Sequence, residues 1–182
     1  MFWLKTLKAF QDYYPDDVSH CYGCGRLNAQ GLQIKSFWDG EESVCHFRPR
    51  PYHTALPGYV YGGLIASLID CHATGTAAAA KYREAQREMD TAPPLRFVTA
   101  SLHVDYLAPT PIDTVLELRG RVREIKGRKV AVAVTLSADG SLCARGDVVT
   151  VQMPPDWVEK LKFKGSRGPG VKGSSEKLPD SE

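Results

Sequence analysis

Between Gly62 and Arg87 the chain has no proline, is rich in alanine, leucine and isoleucine, and runs through four consecutive alanines, Ala77 to Ala80. These are strong helix formers, and the pattern predicts one long helix that gives way to loop across the charged, proline-ended stretch from Glu84 to Pro94. Leu64, Leu68, Cys71 and Gly75 fall on one side, with Ile65 and Ile69 beside them. Ala66, Ser67, Ala73 and Ala77 cover much of the rest. A helix that is apolar or small nearly all round offers no face to water, so it must be buried. The remainder of the chain therefore has to wrap it.

The material for wrapping is β. Gln33 to Trp38 and Ser43 to Phe47 flank the hairpin-type turn Asp39-Gly40. After Pro94 the apolar period becomes two, over Phe97–Tyr106, Val115–Ile125, Val130–Leu136 and Leu142–Val151. The joints APTPID, KGR and SADGS are turn material, and the short KGR joint predicts a tight hairpin. Two strands, one buried helix and four strands in hairpin connection define an α+β fold with an antiparallel sheet wrapped around a central helix.

At 182 residues, 43% of them apolar, the chain is one domain with extensions. Residues 1–20 read as an N-terminal extension with a short helix over 2–14, residues 21–160 as the globular domain, and 161–182 as a flexible tail poor in large apolar residues. A formal charge of +2 argues against a nucleic-acid binder. No apolar run approaches the ~18 residues of a membrane span, and Lys5 and Lys8 interrupt the apolar N-terminus, so neither membrane insertion nor secretion is expected. Five scattered cysteines suit a reducing, cytoplasmic location.

Asp70 is the one acid in the apolar part of the helix. An unpartnered buried carboxylate costs several kcal/mol, so Asp70 should be hydrogen-bonded or face a wet cleft, which makes it a functional candidate. The helix opens at Tyr61-Gly62-Gly63. Glycines there permit close approach, and the first N–H groups of a helix are unpaired at its positive end, which suits an oxyanion. Gly62 and Asp70 are eight residues apart, about 12 Å along a helix. One carbonyl cannot reach both on one helix, whereas two antiparallel helices of a dimer bring Asp70 of one beside Gly62 of the other.

The chain resembles the PaaI-like hotdog-fold acyl-CoA thioesterases, especially the branch with the human thioesterase superfamily members 4 and 5. The likeness covers about Cys21 to Val151. It is carried by Cys21-Tyr22-Gly23-Cys24-Gly25 with Asn28 and Gly31-Leu32, by Pro57-Gly58-Tyr59-Val60-Tyr61-Gly62-Gly63, and by Ala66 with Leu68-Ile69-Asp70. It continues through Thr99 to Pro111, Gly127-Arg128-Lys129, Asp139-Gly140 and Cys143-Ala144. The resemblance implies a homodimer, often a homotetramer, that hydrolyses an acyl-CoA thioester with no cofactor beyond the coenzyme A of the substrate. By position, Asp70 corresponds to the catalytic base or nucleophile, Gly62 and Gly63 to the oxyanion-binding glycines, and Thr99 to a threonine that positions water. His53 corresponds to a histidine before the Pro-Gly. Arg128, with Lys129 beside it, resembles a position near the coenzyme A phosphates. Three departures stand out: Tyr61 replaces a histidine, Cys71 replaces a frequent glutamate, and the segment Tyr82–Arg96 is long enough to cover the acyl pocket. The histidine's absence leaves a non-catalytic acyl-CoA-binding protein as the second reading. A hotdog dehydratase ranks third, since no histidine and acid stand at its spacing.

Other chemistries fit less well. His20, Cys21 and Cys24 suggest zinc, but a second ligand pair could come only from Cys45 and His46, neighbours on a strand whose side chains diverge, so no metal is expected. The pair reads instead as a turn packed over the sheet, and a redox role lacks its βαβ context. Asp70, Cys71 and His72 are consecutive on a helix and cannot form a triad. No G-x-S-x-G elbow, P-loop or dinucleotide motif is present. His103 reads as a core or interface histidine. Arg119, Arg121 and Arg123 form a basic stripe, either a solvated face or a landing site for coenzyme A phosphates.

Overall fold

The computed structural model describes residues 8–154. The expected tail at 161–182, and residues 1–7 of the extension, lie outside the described residues. Strands β1 (Ser36–Asp39) and β2 (Glu42–Phe47) precede the helix α1 (Gly62–Glu84). Strands β3 (Phe97–Tyr106), β4 (Leu116–Lys126), β5 (Lys129–Ala138) and β6 (Ser141–Gln152) follow it. They form one six-stranded antiparallel sheet in the order β1-β2-β4-β5-β6-β3.

Three of the expected hairpins follow their turn chemistry; in the first, Gly40 takes φ +61° between β1 and β2. Asp139 and Gly140 sit at φ +47° and +77° between β5 and β6, as a two-residue turn matched to strand twist requires. Gly127 takes φ +57° in the KGR joint between β4 and β5. The remaining expected hairpin does not form: β3 pairs with β6, not with β4. Getting from β3 to β4 means crossing three strand spacings, about 14 Å, which the linker 107–115 spans with ease. Four strands in sequence are thus not four strands in a meander.

α1 lies across β3 to β6 and buries Leu68 and Ile69 completely. Two strand glycines allow this closeness. A Cβ at Gly146 would sit 2.3 Å from Ile69 Cγ2, and one at Gly120 would sit 2.5 Å from Ser43 Oγ and 3.0 Å from His72 Nε2. His72 points into the sheet, where Nδ1 meets Ser36 Oγ at 2.9 Å and Nε2 meets Ser43 Oγ at 3.0 Å. Burial lowers its pKa to about 4, so the ring is neutral near pH 7.

The N-terminal helix expected over 2–14 appears, within the described residues, only as a 3₁₀ turn at Phe10–Tyr13. Gln11 is the reason. Its side chain is buried, takes the Ser36 N–H at 2.8 Å and donates to Ser36 Oγ at 3.1 Å. That insertion leaves the flanking Ala9 and Tyr14 extended.

β3 is an edge strand of ten residues, with Val98, Leu102 and Tyr106 left 47%, 39% and 55% exposed. A bulge between Thr99 and Ser101 adds one residue to β3. Side chains alternate along a strand, so Thr99 and Tyr106 should face opposite ways. The bulge reverses the alternation and lets both reach α1.

Candidate active site

Asp70 sits midway along α1, half-buried, with its carboxylate toward β3. The Thr99 hydroxyl donates to Asp70 Oδ1 at 2.5 Å. Thr74, one turn on, donates to the Asp70 carbonyl at 2.9 Å and lies 3.2 Å from Thr99 Oγ1. Among the described residues the Asp70 carboxylate is held through Oδ1 alone. It opens on a cavity of about 530 Å³ whose wall is mostly apolar, including Val18, Ala78, Leu95, Phe97 and Val98. Two walls come from segments that flank the core in sequence. The N-terminal segment 13–18 supplies one, and the long connection after α1 supplies the other, as its length suggested. Arg96 fastens the two together: its guanidinium, 7% exposed, donates to both Asp17 carboxylate oxygens at 2.9 and 3.1 Å.

The start of α1 forms a second cluster. Leu64 N–H and Ile65 N–H both donate to Tyr61 O. Among the described residues neither the Gly62 nor the Gly63 N–H donates to a backbone carbonyl, leaving both for an incoming acceptor. The Tyr106 hydroxyl donates to Gly62 O at 2.9 Å and holds this turn. Tyr61 folds its ring over Gly63, where a Cβ would lie 2.4 Å from the ring. His53 is tied to the residue before this turn. It accepts the Arg50 N–H on Nδ1 at 3.1 Å, and its carbonyl accepts the Tyr61 N–H at 2.9 Å. Burial and then the Arg50 charge lower its pKa, which favours the neutral ring.

Within one chain Gly62 and Gly63 do not join Asp70, and neither do Arg128 and Lys129. Arg128 gives two hydrogen bonds, at 2.9 and 2.7 Å, to Gln152 O at an exposed turn. Lys129 opens β5 opposite Val151. The expected arginine stripe is largely neutralised. Arg119 binds Glu117 at 2.8 Å and Asp39 at 2.9 Å, and Arg121 binds Glu42 at 2.7 Å. His103 is exposed and pairs with Asp105 at 3.1 Å, so it is no core residue.

The cysteine turn also differs from expectation. It packs on α1 rather than over the sheet: a Cβ at Gly23 would lie 2.3 Å from Cys71 Sγ. Cys24 and Cys71 both donate toward Cys21, which holds the Cys21 thiol well below its usual range. In return that sharing raises Cys24 to about 12 and Cys71 further. Cys21, Cys24 and Cys71 line the same cavity as Asp70. The sequence offered no signal for this, because Cys71 is fifty residues from Cys21. Tyr106 was equally hidden, since only the bulge turns it toward Gly62.

One long helix laid across a six-stranded antiparallel sheet is the hotdog fold. A family model described as the thioesterase superfamily matches residues 57–153, and the chain belongs to that superfamily. A thioesterase superfamily protein from Shewanella loihica is 50% identical, with a TM-score of 0.59, covering 78% of this chain and 100% of that one. The acyl-coenzyme A thioesterase THEM4 of Xenopus laevis is 38% identical over 102 residues, 55% of this chain and 40% of the relative. The Escherichia coli PaaI protein shares the fold at 14% identity and a TM-score of 0.55, covering 68% of this chain and 81% of that one. The chain spans about half the length, or less, of the curated relatives it matches.

Proposed function

We propose that the chain is an acyl-CoA thioesterase that works as a homodimer, with Asp70 of one protomer acting on a thioester held at Gly62 and Gly63 of the other. The observation that carries this reading is the Asp70–Thr99 pair at the mouth of a mostly apolar cavity. Thr99 fixes one carboxylate oxygen, and Oδ2 takes a proton from water as that water attacks the thioester carbonyl. The oxyanion is met by unpaired N–H groups at a helix N-terminus. Collapse breaks the carbon–sulfur bond, and the proton on Asp70 passes to the departing thiolate. In a variant of the same chemistry the carboxylate attacks the carbonyl itself and water then hydrolyses the anhydride.

Two observations support the dimer. Asp70 and Gly62 are separated by about 12 Å of one helix, so neither completes a site alone. Among the described residues β3 is a long edge strand without a second partner, with exposed Val98, Leu102 and Tyr106, a surface that in water calls for a partner strand. The side chains of Tyr59 and Leu56 are exposed on the loop before α1, beside the glycines. Coenzyme A enters as part of the substrate.

Thiol release from short, medium, long and aryl acyl-CoAs tests the proposal, with Asp70→Asn alongside. Release that falls about 10²–10⁴-fold in the variant, with folding intact, supports it. Full activity in Asp70→Asn sinks it. The second reading, an acyl-CoA-binding protein without turnover, draws on the Tyr61 ring lying over Gly63. It predicts saturable binding by calorimetry with no thiol released from any ester, and gain of activity in Tyr61→His.

A further inference from the structure

Cys21, Cys24 and Cys71 converge from two elements far apart in sequence. Two belong to the turn Cys21–Gly25, closed by the Gly25 N–H donating to Cys21 O at 2.8 Å, and the third lies on α1. Their three sulfurs lie within 4.8 Å of one another, and the Cys21 and Cys71 sulfurs are 3.7 Å apart. We propose that this trio binds a zinc-class cation through three thiolates, leaving its fourth position to water or to a group in the adjoining cavity.

Three observations support the assignment. With metal–sulfur bonds of about 2.3 Å, the edge of a tetrahedron is about 3.8 Å, so the Cys21–Cys71 pair already stands at coordination distance. Gly23 has no Cβ to hold the turn off Cys71, since one would lie 2.3 Å from its sulfur. An all-sulfur donor set is soft and selects zinc or cuprous copper over magnesium or calcium. A disulfide would employ only two of the three sulfurs. The sequence alone offered Cys45 and His46 as the second half of such a site. Cys45 is sealed in the core, and His46 binds Glu117 at 3.2 Å, so the third ligand comes from α1 instead. This assignment does not depend on the proposed thioesterase reaction, and its test does not read activity.

The full chain, reduced with a phosphine and stripped of metal, is titrated with Co²⁺ and then with Zn²⁺. The expected result is one Co²⁺ per chain, with a thiolate-to-cobalt charge-transfer band and visible bands of tetrahedral type, bleached by Zn²⁺. Cys21→Ser, Cys24→Ser and Cys71→Ser should each weaken uptake by at least about tenfold, while Cys45→Ser leaves it unchanged. An independent arm needs no variant: Zn²⁺ should slow alkylation of Cys21 and Cys24, mapped by mass spectrometry. Absence of stoichiometric uptake, uptake that survives loss of these thiols, or alkylation indifferent to Zn²⁺ overturns the proposal. So does formation of a Cys21–Cys71 disulfide under peroxide in a protein that takes up no metal, which would make the trio a thiol switch.

Discussion

Lowering the pH should weaken the fold through His72, and the size of the effect follows from its surroundings. His72 is fully buried between Ser36 and Ser43, with its pKa lowered to about 4 from an ordinary 6.5. The unfolded chain therefore binds a proton that the folded chain refuses between these values. A depressed histidine leaves stability intact above about pH 6.5 and removes it as the pH falls toward 4. The full shift of 2.5 corresponds to roughly 3 kcal/mol, of which about 2 kcal/mol is gone by pH 5. Urea unfolding at pH 7.5, 6 and 5, at one fixed protein concentration, measures the loss. His72→Gln supplies the reference, since it keeps a polar side chain but cannot titrate there. Other groups contribute equally to both proteins, so the difference in pH slope isolates His72. Identical slopes in the two proteins would show that the ring titrates normally and that the buried Ser36–His72–Ser43 network is wrong.

Three further outcomes are expected. Thr99→Val removes the donor to Asp70 Oδ1 and should lower kcat by about 10–100-fold with little change in melting temperature; an unchanged kcat would exclude Thr99 from the proposed reaction. Gly120→Ala drives a methyl to within 2.5 Å of Ser43 Oγ and 3.0 Å of His72 Nε2 and should destabilise by about 1–3 kcal/mol in chemical unfolding, where a neutral result would mean the Ser43 and His72 side chains can give way. Asp17→Ala strands Arg96, which is 7% exposed, and should cost about 1–3 kcal/mol; hydrogen exchange should quicken around 13–18 and 94–97, and no change there would show that the pair does not hold the cavity wall.

The element boundaries were well marked where the sequence changes period or carries turn chemistry. α1 ends within a few residues of its expected limit, and β3 matches its expected span. Their signals are local: helix formers without proline, then strict alternation, then Asp-Gly. The candidate site was half legible. Asp70 declared itself as an acid in an apolar helix, and Gly62 and Gly63 as glycines at its start. Arg128 and Lys129 did not reach the cavity of their own chain, because the hairpin turn that carries them bonds back to Gln152. Gln11 and Cys71 were illegible for another reason. Each meets partners at least twenty-five residues away, and no local pattern encodes such a meeting.

What the sequence determined by itself is the necessity of the architecture. A helix with no polar face has to be enclosed, and strands of period two are the only enclosing material in this chain. Tertiary structure decided what that enclosure brings together. It placed β3 beside β6, at the edge of the sheet among the described residues. Through one added residue, it turned both Thr99 and Tyr106 toward α1. It also laid the turn at Cys21–Gly25 against Cys71. The physical reason is range: periodicity, turns and caps act over a few residues and are written locally, whereas register, a bulge or the docking of a loop is settled by packing between segments the chain has already formed.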